Sequence, residues 1–533
     1  MMSRKLLEGL KIVDFTTVIA GPFITKTMAA YGAEVIKIES RAHPDLWRSA
    51  MFGKGKKGYT AMMGMGYDPV GPFNPWMNTA VTFGFWNTGK LSVALDLAKP
   101  RGLELAKRLV ARADIVVENF AGGVAKRMGL GYEDLQEVKP DIIMLSSCMQ
   151  GQTGPHAKHP GYGTQLVNLS GLSGLSGWPD RDPVAIGPYT DYSAPQFSLL
   201  AIMAALDYRR RTGKGQYIDL SQYESAIHLM APLILDNQVN NRVSIRTGNR
   251  SPDAVPHNAY PCKPTHTDRW CAIGVYTEEE WKSFCDIIGN PPWTKDTKFS
   301  TRYGRRKNEQ ELDRLVEEWT MEQLPEDVEK RLQNAEEPVP VAMIKNKDAF
   351  DNHQPPAKGR SPYAAPHGAY RCRWEDRWCV IAVRTDAEWQ SFCHVIGNPD
   401  WTKEARFATF EARKENEDEL DTLVADWTKN HSPQEVMEMM QEAGVAAGIV
   451  STAEDIMVYD PQLKHRNYYR QLEHPEIGEG MYRAVTPSFI LSKSPCEITR
   501  APLMGQHNEF VLKEILGMSD EEIEELIEME VLN

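Results

Sequence analysis

The 533-residue sequence contains no apolar run near the roughly 18 residues that a membrane-crossing helix needs, which argues against a helical membrane protein. Its first residues, Met1-Met2-Ser3-Arg4-Lys5-Leu6-Leu7-Glu8-Gly9, reach charge too early for a secretory signal, so a cytoplasmic location is expected. None of the eight cysteines (148, 262, 271, 285, 372, 379, 393 and 496) forms a C-x-x-C pair, and with them no metal site or redox motif is expected, only reduced buried thiols. The turn that follows the first apolar run, Thr16-Thr17-Val18-Ile19-Ala20-Gly21-Pro22, lacks the G-x-G-x-x-G fingerprint, so neither a nicotinamide nor a flavin is supported. Cations are outnumbered, 60 Lys and Arg against 73 Asp and Glu, and the net charge of −13 argues against wholesale nucleic-acid binding. An anionic small ligand needs only a local basic pocket and stays compatible with that balance.

What is present is a globular composition, 42% hydrophobic, on a chain long enough for two or more domains. Short apolar runs at residues 11–15, 33–39, 91–97, 114–120, 142–146 and 217–220 read as strands, and the segments between most of them carry helical periodicity. That alternation predicts an α/β protein with a parallel, doubly wound sheet. Ligands of such sheets bind at the carboxyl ends of the strands, where Ala20, Asn119 and Phe120 would lie. Between Met51 and Lys90 the pattern gives way to glycine, methionine and aromatic residues, including Met62, Met63, Phe73, Trp76, Phe83, Phe85 and Trp86. A loop so long and apolar reads either as a contact surface or as a flexible lid over an apolar substrate. The small-residue run Leu169-Ser170-Gly171-Leu172-Ser173-Gly174-Leu175-Ser176-Gly177 could approach a ligand closely.

Asp191 stands on a Gly/Pro-rich turn ahead of a helix in which Phe197, Leu200, Ala201, Ala204, Ala205 and Tyr208 form the expected buried stripe, with Pro195 in its first turn. Asp191 reads equally as a helix cap or as a nucleophile that the helix start holds ionised. Further along, Arg250-Ser251-Pro252-Asp253-Ala254-Val255-Pro256-His257 recurs as Arg360-Ser361-Pro362-Tyr363-Ala364-Ala365-Pro366-His367. The match continues from Trp270-Cys271 and Trp378-Cys379 to Ile288-Gly289-Asn290 and Ile396-Gly397-Asn398. Six cysteines occupy equivalent places in the two copies, as packing positions of an α+β module duplicated in tandem would.

Taken together, the chain resembles the class III coenzyme A transferases of the formyl-CoA, carnitine and bile-acid type. The resemblance rests on Asp14-Phe15-Thr16, Ala20-Gly21-Pro22, Glu34-Val35-Ile36-Lys37-Ile38-Glu39, Glu118-Asn119-Phe120, Arg127-Met128-Gly129, Thr212-Gly213-Lys214-Gly215-Gln216 and Arg500-Ala501-Pro502-Leu503. It implies a Rossmann-like large domain made from residues 1–235 and 477–533, one small domain between them, and an interlocked homodimer, with a hetero-oligomer as the alternative; the repeat instead gives two small-domain copies, at 250–350 and 360–470, and the second lies outside the family's usual plan. It also implies that Asp191 is the catalytic residue, passing through an acyl-aspartyl anhydride and an aspartyl-CoA thioester. CoA, a substrate and not a resident cofactor, would meet Ala20, Arg41, Leu95, Asn119, Phe120 and Arg127, and the acid would meet Ile19, Tyr162 and Gln165. Ile19 stands where the formyl-CoA enzyme has glutamine, Ser40 where it has an arginine, and its tetraglycine lid is missing. Those departures point to a larger, partly apolar or aromatic acid as acceptor, and away from formate and oxalate. A 2-methylacyl-CoA racemase would need a histidine where Tyr162 stands; His156 and His159 read as surface residues. A non-catalytic CoA-binding subunit is the third reading.

Overall fold

The computed structural model describes the chain except for residues 1–4, 50–53, 56–57, 60–77, 79, 160, 179–180, 185, 252, 264–269, 334, 336, 345–363, 375–376, 453, 477–481 and 533. Met62, Met63, Phe73 and Trp76 of the expected lid therefore lie outside the described residues. The chain divides into two compact units, one of residues 1–246 and 457–533, the other of residues 247–456.

All six strands read from the sequence form one parallel sheet in the first unit: β1 (Lys11–Asp14), β2 (Glu34–Glu39), β3 (Leu91–Ala94), β4 (Ile115–Glu118), β5 (Ile143–Cys148) and β6 (Gln216–Ser221). Their order is β3-β2-β1-β4-β5-β6. Side chains alternate across a strand, so each strand feeds two cores. Val13, Ile36, Val93, Val116 and Met144 point into one, Ile12, Val35, Ile115, Val117, Ile143 and Leu145 into the other. The helices α1 (Ala20–Ala30), α2 (Val81–Trp86), α3 (Pro100–Val110), α4 (Val124–Arg127) and α5 (Tyr132–Val138) follow in order. They are joined by α6 (Gly163–Leu169), α7 (Leu172–Leu175), α8 (Thr190–Thr212), α9 (Gln222–His228) and α10 (Ala231–Asn240). Leu105 and Leu109 of α3 and Leu135 of α5 cover one face, Ile24 and Met28 of α1 and Ala194, Ile202 and Ala205 of α8 the other. Helices on both faces explain why runs such as Ile115-Val116-Val117 are apolar without alternation. The C-terminal segment completes the first core with Val511, Leu512, Leu526 and Val531, and Asp96 N–H donates to the Val531 carbonyl at 2.9 Å.

Two expectations are corrected. Phe83 and Trp86 belong to no lid: they are 3% and 7% exposed in α2, with Trp86 against Phe23 of α1 at 5.6 Å. The buried stripe of α8 is Ala194, Ser198, Ile202 and Ala205, while Leu200 is 70% exposed and Ala204 and Tyr208 also face outward. The helix has two apolar faces, and the one with small residues packs closely on the sheet.

The second unit holds two sets of elements in one order. The first set is β7 (His257–Pro261), β8 (Trp270–Gly274), α11 (Glu278–Ile287), α12 (Arg302–Lys307), α13 (Glu309–Thr320), α14 (Pro325–Gln333) and β9 (Val341–Ile344). The second is β10 (His367–Arg371), β11 (Trp378–Ala382), α15 (Asp386–Val395), α16 (Phe410–Glu415), α17 (Glu417–Thr428), α18 (Pro433–Glu442) and β12 (Ala446–Ile449). Each set closes a three-stranded antiparallel sheet over its own core, with Cys262, Cys271 and Cys285 in one and Cys372, Cys379 and Cys393 in the other. Polar contacts recur as well. The Tyr260 hydroxyl donates to Asp313 at 2.5 Å and that of Tyr370 to Asp421 at 2.6 Å. Arg305 lies over the Trp281 ring at 4.5 Å and Arg413 over Trp389 at 4.6 Å. The unit ends at Ile456 rather than at 470, because the antiparallel pair β13 (Tyr469–Leu472) and β14 (Tyr482–Val485) belongs to the first unit. No helix among the described residues is long and apolar enough to cross a membrane.

Candidate active site

Strand order reverses between β1 and β4, and the loops that leave their carboxyl ends diverge there, which opens a crevice. Asn119 spans it: its side-chain carbonyl accepts from Thr17 N–H at 2.8 Å and its amide donates to the Thr17 carbonyl at 2.8 Å. Behind Phe120, the Glu118 carboxylate accepts from the Phe120 N–H at 2.6 Å, and burial pushes its pKa up to about 7. Between these loops lies a cavity of about 120 Å³. Its walls come from residues 17–20 after β1, 119–122 after β4, Cys148 and Met149 at the end of β5, and Ala157, His159, Gly161, Tyr162 and Gly163.

Asp191 closes the cavity. It sits in the first turn of α8, one residue past Thr190, and Tyr189, not Asp191, is the cap. Pro195 stands inside the helix and not in its first turn, and it offers no N–H to the Asp191 carbonyl four residues back. The side chain is 8% exposed, and among the described residues no hydrogen bond reaches its carboxylate. Burial alone pushes its pKa up to about 7. The expectation that the helix start would hold it ionised is thereby reversed. A poorly solvated, unpartnered carboxylate resists ionisation, and once ionised it is a strong nucleophile because no donor has to be stripped from it. Its neighbour across the gap is Gly163, where a Cβ would stand 2.5 Å from Asp191 Oδ1. Tyr192, next along, meets the Trp86 ring edge-on at 5.8 Å.

Six residues singled out from sequence thus share one cavity: Ile19, Ala20, Asn119, Phe120, Tyr162 and Asp191. Four others lie apart from its walls. Gln165 is exposed and accepts from Tyr162 N–H at 2.9 Å and Thr164 Oγ1 at 3.1 Å; Leu95 is 1% exposed in the core. Arg41 and Arg127 are exposed, on the loop after β2 and at the end of α4. The small-residue run folds as α7 and does not reach the cavity. Sequence reading missed Val18, Met149, His159 and Gly163, which all line it. His159 is exposed, as expected, yet borders the cavity and meets His156 ring to ring at 4.6 Å. All of them stand far from Asp191 in the chain, Val18 at the opposite end of the first unit's N-terminal segment, so no local pattern ties them to it.

Comparison with known proteins agrees with this geometry. The fold matches a crystal structure of a CaiB/BaiF family protein from Brucella suis, with TM-score 0.59 and 23% identity over 96% of this chain and all of that one. The CoA-transferase family III model matches residues 7–354 and 342–508. A succinyl-CoA–D-citramalate CoA-transferase of Chloroflexus aurantiacus is 26% identical over 97% of this chain and 96% of its own. The succinyl-CoA:glutarate CoA-transferase of Mus musculus is 34% identical over 59% of this chain and 66% of its own. An acetyl-CoA:oxalate CoA-transferase of Acetobacter aceti is 30% identical over 58% and 74%. The protein is therefore an α/β enzyme that acts on CoA thioesters. It belongs to CoA-transferase family III.

Proposed function

We propose that this enzyme moves CoA from an acyl-CoA donor to a carboxylic acid, with Asp191 as the covalent catalyst. The observation that carries the reading is a buried carboxylate with no hydrogen-bond donor among the described residues, facing a cavity at the reversal of strand order. One Asp191 oxygen attacks the thioester carbonyl, the C–S bond breaks, and CoA leaves as thiolate while an acyl-aspartyl anhydride forms. The thiolate attacks the aspartyl carbonyl, releases the donor's carboxylate and leaves an aspartyl-CoA thioester. The acceptor carboxylate displaces CoA from that thioester, giving a second anhydride. Thiolate attack on its acceptor carbonyl yields the new acyl-CoA and regenerates Asp191. CoA extends from the cavity past Ala20, Asn119 and Phe120, with Arg127 and Arg41 placed outside for its phosphates.

The acceptor carries an apolar part. Ile19, Met149 and Phe120 form cavity walls, and no Lys or Arg among the described residues lines it to fix a second carboxylate. Relatives named for citramalate, glutarate and oxalate set the competing class, small dicarboxylates. The outward apolar face of α8 together with α10, in which no residue is buried, supports a dimer. The repeated element order supports a tandem duplication in the second unit.

Incubation with succinyl-CoA followed by hydroxylamine or borohydride should modify the peptide that holds Asp191. An unmodified peptide, with an Asp191→Ala variant still active, rules the mechanism out. A panel of aromatic, steroidal and dicarboxylic acids read by mass spectrometry decides the acceptor. His159 on the same cavity as Asp191 gives a second reading, proton exchange at the α-carbon of a 2-methylacyl-CoA. Deuterium entering that carbon without any acceptor acid would favour it. A chain that is inactive alone and active with a sister subunit would mark a hetero-oligomer; a relative is the alpha subunit of a succinyl-CoA–L-malate CoA-transferase.

A further inference from the structure

Bonded to the loop after β1 is a cluster of buried charges that the reaction above does not use. Asp14, Lys37, Asp45 and Lys90 have side chains with no solvent exposure. Asp14 pairs with Lys90 at 2.8 Å and Lys37 with Asp45 at 3.0 Å. The cluster continues through Glu39 to Arg48, held at 2.8 and 2.7 Å. Removing so many charges from water is unfavourable unless their partners satisfy them fully.

Three members of the cluster, Asp14, Lys37 and Asp45, bond to the loop after β1. Asp14 accepts from Thr16 N–H at 2.8 Å and from Thr16 Oγ1 at 2.5 Å. Lys37 Nζ donates to the Thr16 carbonyl at 2.6 Å, and Asp45 Oδ1 accepts from the Val18 N–H at 3.3 Å and the Trp47 N–H at 3.0 Å. The residue so gripped is the strained one. Val18 has φ 71°, a left-handed conformation that a β-branched side chain resists. The loop is packed as tightly as its backbone permits, since a Cβ on Gly21 would stand 2.4 Å from Thr16 Cβ. Ile19 follows Val18 as the cap and α1 begins at Ala20; Val18, Ile19 and Ala20 border the cavity that Asp191 closes. No side chain caps that helix start.

We propose that Lys37 and Asp45 are positioning residues, which hold Val18 in its left-handed conformation so that the start of α1 faces the carbonyl under attack by Asp191. Among the described residues the N–H groups of Ala20 and Gly21 are unbonded, Pro22 having none and Phe23 donating to the Ile19 carbonyl, and these two then meet the oxyanion of each tetrahedral intermediate. The ion pair contributes geometry to the cavity and touches no substrate. The inference rests on the Asp191 reading for its chemistry, and on the loop alone for its structure.

Two measurements separate these. The first is the single-turnover rate of Asp191 labelling by succinyl-CoA, with CoA affinity from calorimetry. The second is hydrogen exchange of the peptide spanning residues 15–24. Asp45→Ala should slow labelling at least thirtyfold, shift the CoA Kd less than threefold, and raise exchange in that peptide at least tenfold. Asp45→Asn, which keeps an oxygen for the Val18 N–H, should lose less than tenfold. Val18→Gly, which removes the conformational penalty, should recover at least threefold of the rate in the Asp45→Ala background. If Asp45→Ala does not fold, Asp45→Asn with and without Val18→Gly makes the same comparison. Labelling within threefold of the wild-type rate in folded Asp45→Ala, or no gain from Val18→Gly, overturns the proposal. Should the wild-type protein itself fail to label, the Asp191 chemistry is what fails. Exchange in residues 15–24 then decides the clamp: a rise in Asp45→Ala upholds it and no change overturns it.

Discussion

The two units bury full charges on opposite terms. In the second unit, Arg305 and Arg413 are almost wholly buried, but their acidic partners, Glu278 at 2.9 Å and Asp386 at 2.8 Å, are 53% and 70% exposed. Each guanidinium stacks on a tryptophan and donates to backbone carbonyls, of Val255 and Phe299 in one set and of Ala365 and Phe407 in the other. Such an arginine pins loops to a core while its charge stays paired at the surface. In the first unit both members of the Asp14–Lys90 and Lys37–Asp45 pairs are sealed from water, and three of the four bond to the loop that borders the cavity. Buried charge in the repeated sets serves their own packing; in the first unit it serves the shape of a cavity.

The largest expected break in that contrast is at Asp191. Asp191→Ala should lower transfer by about 10⁴-fold or more in steady-state assays, because a nucleophile has no substitute. The same residue sharpens the contrast through pH. Its pKa is about 7 folded against 3.8 as an ordinary side chain, so the folded form prefers the proton. Stability contributed by that preference is complete below about pH 4 and is lost progressively as pH rises to about 7. Asp191→Asn escapes the loss, and denaturant titrations should find it more stable than wild type above pH 7 by up to about 4 kcal/mol, with no difference near pH 4. Labelling of the wild-type peptide should rise with pH through the same range.

Next come the arginines of the second unit. Arg305→Met and Arg413→Met should each cost about 3 kcal/mol in chemical denaturation and leave turnover within twofold, since what remains is a solvated carboxylate. A loss of turnover equal to the loss of stability would erase the distinction between the units. Smallest is Gly163→Ala, whose Cβ would press on Asp191 Oδ1 at 2.5 Å and on Pro188 Cβ at 2.8 Å. Displacing the nucleophile by a fraction of an ångström should lower kcat about ten- to a hundredfold with KM for the CoA thioester nearly unchanged.

Sequence reading recovered the sheet well because its strands are apolar on both faces and interrupted by clear helices. The order of those strands was not legible, since Ile12 and Ile115 pair through a register that no local pattern encodes. The reading of α8 failed for a definable reason: Ala194, Ser198 and Ala205 are too small to mark a core face, and Leu200 and Tyr208 outweigh them in any periodicity. Asp191 was legible as one residue with two roles, but not its environment, which depends on loops distant in the chain. The motifs that carried the family resemblance meet in space. Asp14 and Thr16, Lys37 and Glu39, and Pro502, whose carbonyl accepts from Arg48 at 3.2 Å, all join the same buried network. A lysine inside the strand Val35-Ile36-Lys37-Ile38 was the visible signal of it, since an unpaired charge there would be untenable.

The first core holds Val13 and Val116 together with Leu526 and Val531. A ribosome makes these residues in a fixed order. When the sheet strands have emerged, the hydrophobic surface that the final segment covers is still bare, and it stays so while roughly three hundred further residues are added. At ordinary synthesis rates that interval is roughly fifteen seconds to a minute. The middle unit, whose cores are complete within residues 247–456, is finished first, and the sheet that surrounds it in sequence is the last part of the chain to close.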